Sequence, residues 1–123
     1  MPGQGWRGSM AHYAGDAAEQ IVARAYVDRG FKLAAERWRG QAGEIDLIVR
    51  DGDAVIFVEV KKSRDLDQAA LRLGARQIER IYAAGAEFLT NEPKGQLTDA
   101  RFDVALVDAA GQVQILENAI GLG

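Results

Sequence analysis

The segment from Gly43 to Arg64 constrains the fold more than any other part of this chain. It reads GEIDLIVRDGDAVIFVEVKKSR, with two runs rich in Ile, Val, Leu and Phe on either side of Asp51-Gly52. An Asp-Gly pair between apolar runs is typical of a tight hairpin turn. Because both runs are apolar at nearly every position, they are typical of strands that are covered on both faces. The segment therefore predicts a β-hairpin inside the sheet of a larger domain.

Charged residues interrupt these apolar runs at Asp46, Glu59 and Lys61. Side chains alternate along a strand, so Glu59 and Lys61 share a face. A two-residue loop at Asp51-Gly52 puts Asp46 diagonal to Glu59, whereas a four-residue loop puts it directly opposite Glu59. Either even-length loop keeps the three charges on one face, and an odd-length loop or a bulge separates them.

Composition excludes several classes of site and of protein. The 123 residues include no cysteine and one histidine, His12, which excludes thiolate metal sites and argues against a multi-histidine site. No apolar run reaches the roughly 20 residues of a membrane helix, and the N-terminus lacks the apolar core of a signal peptide. We expect a cytoplasmic protein without membrane contacts. The net charge of −3 leaves room for a local basic face around an acidic site.

The order of the predicted elements is helix, three strands, helix, two strands. Residues 1–9 are predicted to be a flexible tail and residues 10–120 a single domain. Apolar spacing of three and four predicts helices over about residues 9–29 and 66–89, and a first strand is predicted over 31–38. An apolar strand interrupted by Asp103 and a short strand around Val113 and Ile115 follow. This order predicts an α/β fold with a mixed central sheet flanked by helices.

Asp46 and Glu59 on one face predict a binding site for a divalent cation, because adjacent carboxylates repel each other unless a cation lies between them. Mg²⁺ needs only one or two protein carboxylates, and Mn²⁺ is expected to substitute for it. The carbonyl oxygen of Val60 is a candidate third ligand. Glu19 on the first helix is a candidate to complete the shell, bind a second ion or hold a water. Lys61 is suited to orient or deprotonate an attacking water or to stabilise charge on a phosphate.

Each of these interpretations has a less specific alternative. The helical periodicity favours a partly solvated Glu19 over one directed at the sheet. Glu59 and Lys61 also fit a salt bridge on a sheet surface. Two carboxylates are compatible with glycosidase chemistry, although that reaction would need more aromatic residues and gives Lys61 no role.

Basic residues surround the predicted site along the sequence. Arg72, Arg76 and Arg80 form a row at intervals of four on the predicted second helix, where they either contact phosphates or form a solvated face. Trp38 between two arginines either stacks a base or is a buried tryptophan with solvated neighbours. The candidate nucleic-acid-binding residues are Arg37, Arg39, Lys62, Arg64, Arg72, Arg76 and Arg80.

Two resemblances connect these residues to known proteins. Asp46 followed by Glu59-Val60-Lys61 resembles the PD-(D/E)-x-K nuclease signature, with Ile45 in place of the usual proline. A more specific set of motifs, in the same order over about residues 11–120, resembles the YraN-like family of small bacterial proteins. These motifs are Gly15-Asp16-Ala17-Ala18-Glu19, Trp38-Arg39, Gly43-Glu44-Ile45-Asp46-Leu47-Ile48, Phe57-Val58-Glu59-Val60-Lys61, Arg101-Phe102-Asp103-Val104 and Glu117-Asn118-Ala119.

The YraN-like resemblance implies a restriction-endonuclease-like core related to archaeal Holliday-junction resolvases. It implies that Glu19, Asp46, Glu59 and Lys61 occupy the family's site positions. The sequence departs from the family pattern at Arg37, where asparagine is common, and at Lys62-Ser63-Arg64, which replaces a more compact basic run.

Together, residues and resemblance favour a Mg²⁺-dependent endonuclease that acts on DNA, with branched DNA such as a Holliday junction as a candidate substrate. The symmetry of such junctions suits a homodimer. The alternatives are a nucleic-acid-binding or adaptor protein that has the fold without turnover, and a protein that binds only other proteins.

Overall fold

The chain folds into two helices and five strands around one mixed sheet. The computed structural model describes residues 10–62 and 73–120, with side chains from residue 17 onward. The elements are α1 (Met10–Asp28), β1 (Lys32–Arg39), β2 (Glu44–Asp51), β3 (Ala54–Lys62), α2 (Ala75–Leu89), a 3-10 turn (Gly95–Leu97), β4 (Ala100–Val107) and β5 (Val113–Leu116). The predicted tail of residues 1–9 and the first part of the predicted second helix, residues 66–72, lie outside the described residues.

The strands lie in the sheet in the order β1-β2-β3-β4-β5. Only the β3–β4 pair is parallel, and the other three pairs are antiparallel. The connection between β3 and β4 includes α2, as expected for a parallel crossover. The predicted fold class, an α/β fold with a mixed sheet and the order helix, three strands, helix, two strands, is confirmed.

Helix α1 ends where the sequence provides a stop signal. Gly30, directly after α1, has a φ of +98°, a conformation that glycine adopts at little cost and that ends the helix. Across the described ranges, neither helix is long and apolar enough to cross a membrane.

The hairpin between β2 and β3 has the register in which Asp46 lies opposite Glu59. Asp51 pairs with Ala54, so the two-residue turn is Gly52-Asp53 and not Asp51-Gly52 as the sequence suggests. Gly52 takes the first turn position with a φ of +61°. The shift by one residue preserves the even loop length on which the shared face depends.

Each face of the sheet packs against one helix. On the first face, Val22 and Tyr26 of α1 pack on residues of the central strands, namely Leu47, Val49, Ile56, Val58, Ala105 and Val107. On the second face, α2 packs on residues that include Ile48, Phe57, Val104 and Leu106. Gly85 allows α2 to approach closely, since an added Cβ would lie 2.8 Å from the ring of Phe102.

The charge that interrupts β4, Asp103, is a fully buried structural residue. Its carboxylate accepts hydrogen bonds from Tyr26 Oη at 2.7 Å, Arg101 Nε at 3.0 Å and the Asn118 backbone amide at 2.8 Å. Burial and the adjacent Asp103 carboxylate raise the pKa of Tyr26, which therefore stays a hydrogen-bond donor. These bonds join α1, β4 and the C-terminal turn.

Candidate active site

Asp46 and Glu59 meet where the β2–β3 ladder stops. The last antiparallel pair is Leu47–Val58, and the next residue on each strand is one of the two acids. Asp46 Oδ2 accepts a hydrogen bond of 2.9 Å from the backbone amide of Val60. The carboxylate thus takes the place that a β2 carbonyl would have had in a continued ladder, and this orients Asp46 towards β3.

Glu59 and Lys61 face α2. In the parallel ladder Glu59 pairs with Val104 and Lys61 with Leu106, and both β4 residues pack in the cluster that includes Ile81 of α2. Residues paired in a sheet project to the same side. The hairpin therefore brings Asp46, Glu59 and Lys61 to one face, as the sequence predicts.

A cavity of about 250 Å³ lies over the two acids, and we call it the acidic cavity. It is large enough for an ion and several water molecules. The residues that line it come from the β1–β2 loop, the two hairpin strands and α2: Gly43, Glu44, Asp46, Glu59, Gln77, Arg80 and Ile81.

Glu59 is the buried polar group of this cavity. Its side chain is 5% exposed, and its Oε2 atom has no hydrogen-bond partner among the described residues. Burial, and then the negative charge of Asp46, raise the pKa of Glu59 to about 8. The positive charge of Lys61 acts in the opposite direction but does not compensate. Glu59 therefore favours its protonated form at neutral pH.

The pKa of Asp46 is also raised, mainly by burial. The hydrogen bond from the Val60 amide lowers it in part, and the nearby Glu44 carboxylate raises it further. Two adjacent acids that both resist ionisation are typical of functional sites that hold a proton or a cation between carboxylates.

The donor set fits a small divalent cation. The orphaned Oε2 of Glu59 and the carboxylate of Asp46 are oxygen ligands of the kind that Mg²⁺ prefers, and Mg²⁺ needs only one or two of them. Among the described side chains, no group of three or more Asp, Glu or His residues is arranged to hold a metal ion. A two-carboxylate site is the one that these residues offer, and the Val60 carbonyl stays a predicted third ligand.

Glu19 is directed at the sheet but at a different strand. Its side chain is 12% exposed, and its Oε1 atom accepts a hydrogen bond of 3.0 Å from Arg37 Nε on β1. Glu19 is therefore partly exposed, and its carboxylate faces the edge strand β1 of the sheet. The structure does not group Glu19 with Asp46 and Glu59, and its role as a metal ligand stays a prediction.

In the segment Arg37-Trp38-Arg39, both arginines form ion pairs with acids, and the tryptophan packs against the core. The Trp38 ring packs edge-on against Phe88, with centroids 5.5 Å apart. Arg37 binds Glu19, and Arg39 lies 3.7 Å from Glu44. Trp38 is partly buried in the core cluster, which is closer to the alternative of a buried tryptophan than to an open base-stacking platform.

Two members of the predicted basic row lie on the exposed side of α2. Arg76 and Arg80 are both exposed and one turn apart, and Arg80 lines the acidic cavity. Lys62 is exposed at the end of β3. Arg64 and Arg72 lie outside the described residues.

Sequence reasoning missed two residues of the cavity, Glu44 and Gln77. Glu44 lies two residues before Asp46 on β2, so strand alternation is a signal that could have identified it. Gln77 lies three residues before Arg80 on α2, on the same side of the helix. Their place in the cavity depends on how α2 docks, which no local pattern specifies.

Comparisons with known proteins agree with the resemblance noted in the motifs. The model of "Uncharacterised protein family UPF0102" matches residues 18–107. A UPF0102 protein of Ruegeria pomeroyi is 61% identical over 95% of this chain and 95% of its own length. A UPF0102 protein of Cereibacter sphaeroides is 60% identical over 91% of this chain and 96% of its own length. The chain belongs to the UPF0102 family, which is the YraN-like family that its motifs predict.

Proposed function

We propose that this protein is a metal-dependent endonuclease that hydrolyses DNA phosphodiester bonds. The observation that carries the proposal is the buried, unpartnered Oε2 of Glu59 beside Asp46, in a cavity that Arg80 also lines. A metal ion and a phosphate together provide the positive and negative charges that complement these groups. Branched DNA is the first substrate to test, because of the resemblance to junction resolvases.

In this proposal Asp46, Glu59 and the Val60 carbonyl hold Mg²⁺ or Mn²⁺. The bound ion supplies charge neutralisation at the phosphate and makes a nearby water more acidic. Lys61, on the same face, orients that water and stabilises the charge that develops on the phosphate oxygens. A bond forms between the water oxygen and phosphorus, the P–O bond to one sugar breaks, and the proton lost by the water balances the one gained by the departing hydroxyl.

The test is a cleavage assay on branched and linear DNA with Mg²⁺ or Mn²⁺. We expect Glu59→Gln and Lys61→Ala each to lower the rate by roughly 100-fold or more, the usual scale for an acid–base or electrostatic group. Glu36→Gln, which changes an exposed glutamate of β1, is the matched control and should retain the wild-type rate. Equal residual activity in all four proteins would indicate a contaminating nuclease and contradict the proposal.

A second candidate function is nucleic-acid binding without turnover. It is favoured by the ion pair of Glu19 with Arg37, and by the finding that no three acids among the described residues are arranged to hold a metal ion. This function predicts salt-sensitive DNA binding that does not depend on metal. Calorimetry that detects DNA binding but no heat from millimolar Mg²⁺ or Mn²⁺ would favour it over the nuclease.

A further inference from the structure

The acidic cavity has an exposed positive group as well as a buried and a half-buried acid, Glu59 and Asp46. Arg80 lines the cavity from α2 and is exposed, and it forms no ion pair with any described residue. Its guanidinium is therefore available to an anion that enters the cavity.

The position of Arg80 relative to the acids is fixed by the β1–β2 loop. A methyl group added at Gly43 would lie 3.7 Å from both Arg80 Cβ and the Arg80 carbonyl oxygen, so the loop runs close beside this turn of α2. Two turns further along α2, Glu87 accepts hydrogen bonds from the backbone amides of Gln41 at 2.9 Å and Ala42 at 3.1 Å. The loop that leads into Asp46 is thus held to the helix that carries Arg80.

We propose that Arg80 binds the phosphate group of the substrate directly, while Asp46 and Glu59 bind the cation that accompanies it. This inference rests on the proposed function and identifies which of the basic residues lies at the reacting phosphate. Guanidinium binds phosphate through two parallel hydrogen bonds, which fixes the orientation of the anion as well as its position. Arg76, one turn earlier and outside the cavity lining, contributes only general attraction to the DNA backbone.

The geometry makes binding of cation and phosphate cooperative. A phosphate in the cavity without a cation meets the acids Glu44, Asp46 and Glu59, and a cation without phosphate leaves Arg80 unneutralised. Each ligand therefore improves the site for the other, and the gain must be the same in both directions. The ligand class is a phosphate monoester or diester with a divalent cation.

The test is a calorimetric titration with thymidine 5′-monophosphate, with and without saturating Mg²⁺, with Arg76→Gln as the matched control. In the wild type we expect Mg²⁺ to raise the nucleotide affinity about tenfold, and we expect Arg80→Gln to lose about tenfold in the presence of Mg²⁺, the scale of one charge-assisted contact. Arg76→Gln should stay within about twofold of the wild type, and Arg80→Lys should recover part of the loss. The Mg²⁺ affinity of Arg80→Gln without nucleotide, together with its melting temperature, verifies that the fold and the cation site are intact.

Two results would overturn the inference in distinguishable ways. If the wild type cleaves DNA and binds Mg²⁺, but Arg80→Gln and Arg76→Gln bind the nucleotide equally well, the role of Arg80 is wrong and the proposed function stands. If the wild type shows no Mg²⁺-dependent nucleotide binding and no cleavage, both proposals are wrong.

Discussion

At the scale of single residues, Glu59 determines the chemistry of the acidic cavity. Its burial on β3 makes the ionised form costly, and the adjacent Asp46 adds to that cost. A protein without a use for this carboxyl group would be more stable with an apolar residue at position 59, because an unsatisfied buried polar group costs about 1–3 kcal/mol. The cost is recovered only when a cation or a proton occupies the site.

This burial predicts how stability depends on pH. The pKa of Glu59 rises from 4.5 to about 8 on folding, so between these values the folded protein holds a proton that the unfolded chain has lost. The free energy of unfolding therefore falls as pH rises from about 4.5 to about 8, and each pKa unit corresponds to about 1.4 kcal/mol. Calorimetry in EDTA between pH 5 and 8.5 should give a falling melting temperature for the wild type and a flatter profile for Glu59→Gln.

Other carboxyl groups provide the control for that experiment. Glu87 and Glu92 have lowered pKa values and affect stability only at more acidic pH, so they do not contribute to the slope in this window. Glu36→Gln should reproduce the falling profile of the wild type. Identical pH profiles for the wild type and Glu59→Gln would contradict the burial of an ionisable Glu59.

The backbone conformation and the ion pair of Arg37 could not be predicted from the sequence. Its φ is +50°, in the left-handed region that non-glycine residues seldom adopt and that asparagine adopts more readily than most. This conformation explains why asparagine suits the position before the tryptophan. Arg37 accepts the unfavourable backbone while its side chain binds Glu19. The sequence indicated neither the conformation nor the ion pair, because both depend on how α1 lies against β1.

At the scale of elements, the docking of α2 on the β1–β2 loop builds the acidic cavity. Glu87 binds two consecutive backbone amides of the loop, and Gly40 donates a hydrogen bond to the Gly43 carbonyl at 2.9 Å. These bonds satisfy loop amides that have no strand partner. The loop is therefore held against the helix, and Gly43 lies close beside Arg80.

Removal of the Glu87 carboxylate should loosen this unit. Glu87→Ala deprives the Gln41 and Ala42 amides of their acceptor, so we expect their hydrogen exchange to become several-fold faster while exchange in β3 is unchanged. Glu79→Ala, which removes an exposed glutamate from the same helix, is the matched control and should leave the loop amides unaffected. Unchanged protection of Gln41 and Ala42 in Glu87→Ala would show that the loop is held by other contacts.

Local sequence patterns predict the elements of this fold better than the contacts between them. Helix periodicity, strand alternation and the Asp-Gly signal gave α1, the hairpin and the shared face of Asp46, Glu59 and Lys61, because each depends on neighbours along the chain. The turn position was wrong by one residue, since Asp51-Gly52 and Gly52-Asp53 both offer glycine at a central position. The partner of Glu19 and the cavity residues Glu44 and Gln77 depend on contacts between distant elements, which periodicity does not contain.

At the scale of the whole molecule, the fold concentrates opposite charges on one side of the sheet. The chain has a net charge of −3, yet the side of the sheet that α2 covers carries Arg76, Arg80 and Lys61 together with the buried Glu59 and the half-buried Asp46. On the other side of the sheet, α1 is fixed to β4 through Tyr26 and Asp103. One side of the molecule therefore provides a buried structural network, and the other carries the acidic cavity with charged groups of both signs.

Cation binding at the acidic cavity can be measured through the melting temperature of the protein, without a nuclease assay. A ligand that binds only the folded state at 100 times its dissociation constant stabilises it by about 2.7 kcal/mol, which for a domain of this size raises the melting temperature by roughly 10 °C. Because the cation displaces the proton on Glu59, we expect Mn²⁺ to raise the melting temperature more at pH 8 than at pH 6. Glu59→Gln and Asp46→Asn should lose most of the increase, and Glu36→Gln should retain it. If Mn²⁺ stabilises all four proteins equally, the ion binds elsewhere, and the acidic cavity is not a metal site.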